Sequence, residues 1–233
     1  SRLAQRIIHL VTTFTRFGAL YEVDLRLRPS GKKGPIVTTI QAFDRYLRND
    51  AWTWEHQALV RARFVAGDQT LGEKFNEVRA RVLALPRGLE KLKSDVISMR
   101  EKMRYHIYSD SSAEINEDPG VLLPEFDLKH DIGAIVDIEF MVQYAVLAWT
   151  PEHSGLVRWT DKMRVLDELG DLGLFSSDEV RLLQKAYLAF RSVVHYRWLG
   201  GELASYKLLQ EHRHAVVSIW QKYMNDQPGI NQQ

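Results

Sequence analysis

At 233 residues, with 45% apolar and 26% charged side chains, the chain has an ordinary globular composition and enough length for one large domain or two small ones. A net charge of +1 supplies no general basic field for nucleic acid, and the absence of cysteine excludes disulfides, thiolate metal sites and cysteine nucleophiles. No apolar run reaches the ~18 residues a bilayer span needs, so no membrane or nucleic-acid partner is expected, and a cysteine-free chain suits the reducing cytoplasm.

In chain order, Leu3, Ile7, Leu10, Val11 and Phe14 have helical spacing, which predicts an amphipathic helix over 2–16 that stops at Gly18. The chain opens without an initiator methionine and is expected to be a piece of a longer protein. From Tyr21 to Arg28 apolar and charged residues alternate strictly. On a strand, Tyr21, Val23, Leu25 and Leu27 fall on one face and Glu22, Asp24, Arg26 and Arg28 on the other. Neighbours on the charged face then stand roughly 7 Å apart. Such a row could hold a metal ion beside a polyanion, and it could equally be the wet face of an antiparallel strand. Pro29 to Gly34 is a glycine-bearing turn with Lys32 and Lys33 at its tip, and Pro35 to Ile40 is a second β-branched run, so the pair predicts a hairpin.

A short helix is expected over 41–49 and another over 51–64. In the second, Trp52 and Trp54 are expected in the core, and Glu55 is expected to be partly buried with a basic partner. Arg61 and Arg63 are about 200° apart on an ideal helix and cannot face one site together. Gly67 to Gly72 is polar and predicts a linker. Beyond it the pattern is helical, over 75–85 up to Pro86, 88–107, a stretch ending near Trp149, 160–169, 176–199 and 205–224. The acidic stretch 108–124 predicts a loop, Gly200-Gly201 a break, and the tail beyond Asp226 a frayed end. Asp137 and Glu139, two residues apart, cannot share a helix face. Ser176 to Glu179 has the pattern of a capping box. His195, His212 and His214 lack a metal-ligand spacing on one face.

Three segments carry a resemblance to a known family: Leu20 to Gly31, Ala51 to Arg63 and Asp127 to Phe140. With the helices around them the chain resembles the C-terminal, adenylyltransferase half of the bacterial glutamine synthetase adenylyltransferase/adenylyl-removing enzymes. The Trp52-Thr-Trp-Glu-His-Gln57 block favours the transferase half over the removing half. The resemblance implies a mostly α chain: a remnant of a polymerase-β-like nucleotidyltransferase over 1–72 (helix plus β-hairpin, then helices), followed by an all-α helical-bundle domain over 73–233. It implies transfer of AMP from ATP to a tyrosine of glutamine synthetase, with Mg²⁺ and ATP as cofactors and glutamine synthetase and the PII signal protein as partners.

By motif match Asp24 is the third catalytic carboxylate and a metal ligand. Charge and placement make Arg26, Arg28, Lys32 and Lys33 the groups that bind the nucleotide's phosphates. The Gly-Ser-Asp-x-Asp motif that carries the family's other two carboxylates does not occur here. It is expected upstream of Ser1. Two-metal chemistry needs several oxygens around ions about 3.5–4 Å apart, so the piece by itself is expected to be silent. The alternatives are a helical module that docks glutamine synthetase or the PII protein, and the phosphorolytic removing half.

Overall fold

A computed structural model describes residues 1–19, 21, 23–25, 28–111, 126–199 and 206–225. Two compact units divide between Leu83 and Ala84. The expected boundary, 72/73, lies inside the helix Gln69–Leu83 that closes the first unit.

The first unit opens with α1 (Arg2–Thr12), followed by a minimal antiparallel pair, β1 (Phe14–Thr15) with β2 (Gly18–Ala19). The Thr15 hydroxyl donates to the Gly18 carbonyl at 2.8 Å and ties that turn. α1 presents its apolar stripe outward, with Leu3, Ile7, Leu10 and then Phe14 all exposed. The hairpin expected from 20–28 and 35–40 is not formed among the described residues. Tyr21, Val23, Asp24 and Leu25 lie on irregular backbone, Pro35 to Thr39 has no strand, and Ile40 already begins α2 (Ile40–Asn49). Leu20, Glu22, Arg26 and Leu27 lie outside the described residues. Alternation supplies a pattern of faces, but a strand saturates its N–H and C=O groups only on a neighbouring ladder. Among the described residues the one ladder is the two-residue pair β1–β2.

After α2 come α3 (Thr53–Arg61) and α4 (Gln69–Leu83), and α4 packs on both. Leu47, Leu59, Val60, Val78, Val82 and Leu83 make this unit's core. The expected linker at 67–72 is mostly the start of α4. Asp68 accepts from the Leu71 N–H at 2.9 Å as an N-cap. Gly72 is needed where the Phe64 ring lies so close that a Cβ would meet it at 2.8 Å. Trp52, expected in the core, is 71% exposed, because it is the residue before α3 and the buried face of that helix begins at Glu55.

The second unit contains α5 (Leu89–Ser111), α6 (Ile135–Trp149), α7 (Lys162–Asp171), α8 (Ser177–Trp198) and α9 (Tyr206–Trp220), which runs into a π-turn over Gln221–Asn225. The expected loop over 108–124 begins inside α5, and 112–125, the Gly200-Gly201 break and the tail beyond Asn225 lie outside the described residues. α6 is apolar almost all round, from Ile135 through Ala148, and such a helix must be covered on every side. It packs against α5, α7, α8 and α9.

Polar pins fix the helices around α6. Asp137 and Glu139 do point to different partners, Asp137 to Arg100 of α5 at 2.6 Å and Glu139 to Lys162 of α7 at 2.7 Å. Arg100 and Asp137 are 1% and 4% exposed. The capping box at the start of α8 is present, with Ser176 N–H donating to Glu179 Oε2 at 2.8 Å and Glu179 N–H to Ser176 Oγ at 3.3 Å. Glu179 also receives Lys222 Nζ at 2.5 Å and the Tyr223 hydroxyl at 2.8 Å, which fastens the end of α9 to the start of α8.

Two predictions follow from these pins. Arg100→Met leaves the Asp137 carboxylate buried without its cation and is expected to cost about 3–5 kcal/mol in urea unfolding, most of it recovered in the Arg100→Met/Asp137→Leu double variant. Burial raises the Glu179 pKa, but the hydrogen bonds from Lys222, the Ser176 N–H and Tyr223 outweigh it and bring it to about 2, below the 4.5 of a free glutamate. A depressed carboxylate contributes stability that is complete above its unfolded pKa and is lost as pH falls through the folded one. The melting temperature is therefore expected to fall between pH 4.5 and 2, and Glu179→Gln is expected to lower it at neutral pH while flattening that acid limb.

Candidate functional site

The turn after Asp24 is built from backbone geometry that few residues tolerate. Ser30 has φ 60° and Gly31 φ 55°, both left-handed. A Cβ on Gly34 would sit 1.9 Å from the Pro29 carbonyl oxygen, so only glycine allows the chain to close on itself there. Gly31 N–H donates to Arg28 O at 2.8 Å and Gly34 N–H to Gly31 O at 3.1 Å, making a single 3₁₀ turn over Gly31–Lys33.

Asp24 is exposed on the irregular segment that leads into this turn. Arg28 is half-buried and braces the turn from within, its Nη1 donating to Leu25 O at 2.9 Å and its Nε to Gly34 O at 3.2 Å. Lys33 is exposed at the tip. Lys32 is described only by its backbone in the 3₁₀ turn, and Arg26 lies outside the described residues. Among the described residues no three histidine, aspartate or glutamate side chains converge in a way that could hold a metal ion. One carboxylate does not fit a divalent pair, so these residues do not by themselves make the magnesium site that the resemblance implies.

Beneath the turn lies a cavity of about 320 Å³, lined by Pro29 of the turn, by Phe43 and Tyr46 of α2, and by Glu55, Leu59 and Arg61 of α3. Glu55 is 6% exposed. In place of the expected base, its described donors are neutral: Tyr46 Oη–H reaches Oε1 at 2.8 Å, and the Trp52 N–H reaches Oε2 at 2.9 Å. Ser30 of the turn lies close enough to the Tyr46 oxygen to favour its ionised form. Burial raises the Tyr46 pKa, the Ser30 contacts oppose the rise, and Glu55 adds to it, so the phenol stays protonated and donating. The helix expected over 51–64 stops at Arg61, so Arg61 and Arg63 part for a reason other than helix geometry, Arg61 lining this cavity and Arg63, beyond the end of α3, a separate apolar groove with Phe43, Phe64 and Phe75.

Two residues of this region escape a sequence reading. Tyr46 has no pattern that marks it, because its partner Glu55 lies 9 residues ahead. Arg79 could have been found, since it sits between Phe75 and Val82 on the apolar face of α4. It is 5% exposed and caps the C-terminal end of α3, Nε donating to Leu59 O at 3.0 Å and Nη2 to Val60 O at 2.6 Å. Burial pulls its pKa below that of a free guanidinium.

Comparison with known proteins gives the chain its family. A family model described as glutamate-ammonia ligase adenylyltransferase matches residues 1–78, and one described as GlnD PII-uridylyltransferase matches residues 99–222. A protein from Pseudomonas aeruginosa named bifunctional glutamine synthetase adenylyltransferase/adenylyl-removing enzyme is 49% identical over 95% of this chain. Proteins of the same name from Pseudomonas putida and Hahella chejuensis are 48% and 46% identical over 94% and 95% of it. The chain spans 23% of the length of each of these three relatives. It belongs to the family of bacterial glutamine synthetase adenylyltransferase/adenylyl-removing enzymes.

Proposed function

We propose that the full-length protein carrying this chain moves AMP from ATP to a tyrosine of glutamine synthetase, and that this chain supplies part of the transferase half. The observation that carries the reading is identity near one half, sustained over 95% of the chain, with proteins bearing that name. The block from Trp52 to Gln57 favours the transferase half over the removing half.

In the reaction the tyrosine oxygen attacks the α-phosphorus in line and pyrophosphate leaves. Most of the rate gain in such a step comes from positioning and from neutralising charge. Asp24 is the acidic residue this chain would bring to the reaction, where it would serve as one ligand of Mg²⁺, with the other ligands supplied from outside this chain. Arg26, Arg28, Lys32 and Lys33 neutralise the phosphates. Because a single carboxylate cannot assemble the metal site, the 233-residue chain is proposed to be inactive alone.

A second reading concerns the helical part. Residues 99–222 match the model of a PII-modifying enzyme, which favours a role in docking the PII protein beside the transferase reaction.

Asp24→Asn in the full-length enzyme is expected to lower AMP incorporation into glutamine synthetase by about a thousandfold or more, with the melting temperature unchanged. Phosphorolytic removal, assayed on the same variant, is expected to persist. Near-normal transfer would remove Asp24 from the reaction, and loss of removal alone would assign this chain to the other half.

A further inference from the structure

The cavity beneath the 28–34 turn joins a buried charge to apolar walls. Its volume of about 320 Å³ is at the lower end of the range for small-ligand sites and has room for a bicyclic aromatic ring. Phe43, Ala58 and Leu59 supply apolar wall. Tyr46, Glu55 and Arg61 are its polar members.

Glu55 decides what the cavity can take. A carboxylate has about four lone-pair sites. The described hydrogen bonds to Glu55 use one on each oxygen, from the Tyr46 hydroxyl at 2.8 Å and the Trp52 N–H at 2.9 Å. Both donors are neutral, and Glu55 is only 6% exposed. A buried carboxylate so placed gains from a further N–H that reaches it. An aliphatic amine supplies that donor but leaves the apolar wall uncovered. A flat aromatic ring with an exocyclic amine does both. Arg61, the last residue of α3, lines the same cavity, and a guanidinium can donate to a ring nitrogen or stack on a ring face.

Position narrows the ligand further. Pro29 belongs both to the cavity wall and to the turn that carries Lys32 and Lys33. A nucleotide has its base at one end and its phosphates at the other, so one molecule can reach both places.

We propose that this cavity receives the adenine ring of ATP, with Glu55 accepting a hydrogen bond from the exocyclic amine. The identity of the nucleotide rests on the AMP-transfer reading. The preference for an aminopurine rests on the cavity alone, and the two are tested apart.

The full-length enzyme is photolabelled with 2-azidoadenosine, which has no phosphate and reports on the base, and labelled peptides are located by mass spectrometry. Two variants are compared with it, each checked by its melting temperature. Glu55→Gln keeps the size of the side chain and replaces one acceptor oxygen by an amide. Ala58→Leu fills the cavity without touching a charge. Label is expected within residues 40–62 of the unmodified enzyme, with adenosine competing about tenfold better than purine riboside, which lacks the amine. Ala58→Leu is expected to lower that label at least fivefold, and Glu55→Gln to erase the difference between the two competitors. In both variants KM for ATP is expected to rise about fivefold to tenfold with kcat within about twofold. Label confined to residues outside 40–62, or unchanged by Ala58→Leu, would overturn the site. Equal competition by the two nucleosides in the unmodified enzyme would overturn the role of Glu55. Labelling as expected with KM for ATP unchanged would overturn the assignment to ATP. Absence of AMP transfer by the unmodified enzyme would overturn the proposed function, while the label would still decide whether the cavity takes an aminopurine.

Discussion

The second unit depends on the burial of one ion pair. Arg100 and Asp137 are both almost wholly removed from water, a loss that their mutual attraction offsets only when the remaining donors and acceptors are also satisfied. The structure meets that condition in part, since the buried Arg100 Nη1 has no hydrogen-bond partner among the described residues. Arg100 Nη2 donates to the carbonyls of His130 at 2.7 Å and Asp131 at 3.3 Å, and Asp137 Oδ2 takes the Gly133 N–H at 2.7 Å. The pair therefore binds α5 to α6 and also dictates the path by which the chain enters α6. Gly133 must adopt φ 79°, and its α-carbon packs so closely on Arg213 and Val217 of α9 that a Cβ would meet them at 2.8 Å. Burial, ahead of the surrounding charges, lowers the His130 pKa, so the ring stays neutral beside Arg100 at physiological pH.

The first unit uses the same logic with different chemistry. Its buried charges are Glu55 and Arg79, and each meets groups that a helix end leaves open. Glu55 takes the N–H before the first turn of α3, and Arg79 fills the carbonyls at its last turn. A 9-residue helix is too short to be stable by propensity, so these two ends decide whether it forms. The cost of burying Glu55 also explains why Tyr46 lies where it does, since a buried carboxylate must recruit donors from whatever packs over it.

The legibility of the chain follows the range of the interactions involved. The apolar run of α6, the capping box at Ser176 and Glu179, and the separation of Asp137 from Glu139 are set by neighbours within one or two turns, and sequence spacing reports them directly. The segment from Tyr21 to Arg28 behaves differently. Its alternation sorts side chains into two faces, but among the described residues no strand lies alongside to receive its backbone. The metal-site expectation for Asp24 therefore rests on the family resemblance, while the strand geometry first offered for it is absent. Trp52 failed for a related reason: an aromatic residue beside a helix start looks like core until the start of the helix is known.

By itself the sequence determined the helical periods, the family and the identity of the charged residues, because each is a matter of which residue types recur at which short spacing. The tertiary structure decided which of those charges are buried and what each one meets. Glu55 finds Tyr46, Arg79 finds the end of α3, Arg100 finds Asp137 and Glu179 finds Lys222 across separations of 9 to 43 residues. No local pattern encodes such meetings, since they depend on how helices pack and on the cost of leaving a buried polar group unpaired.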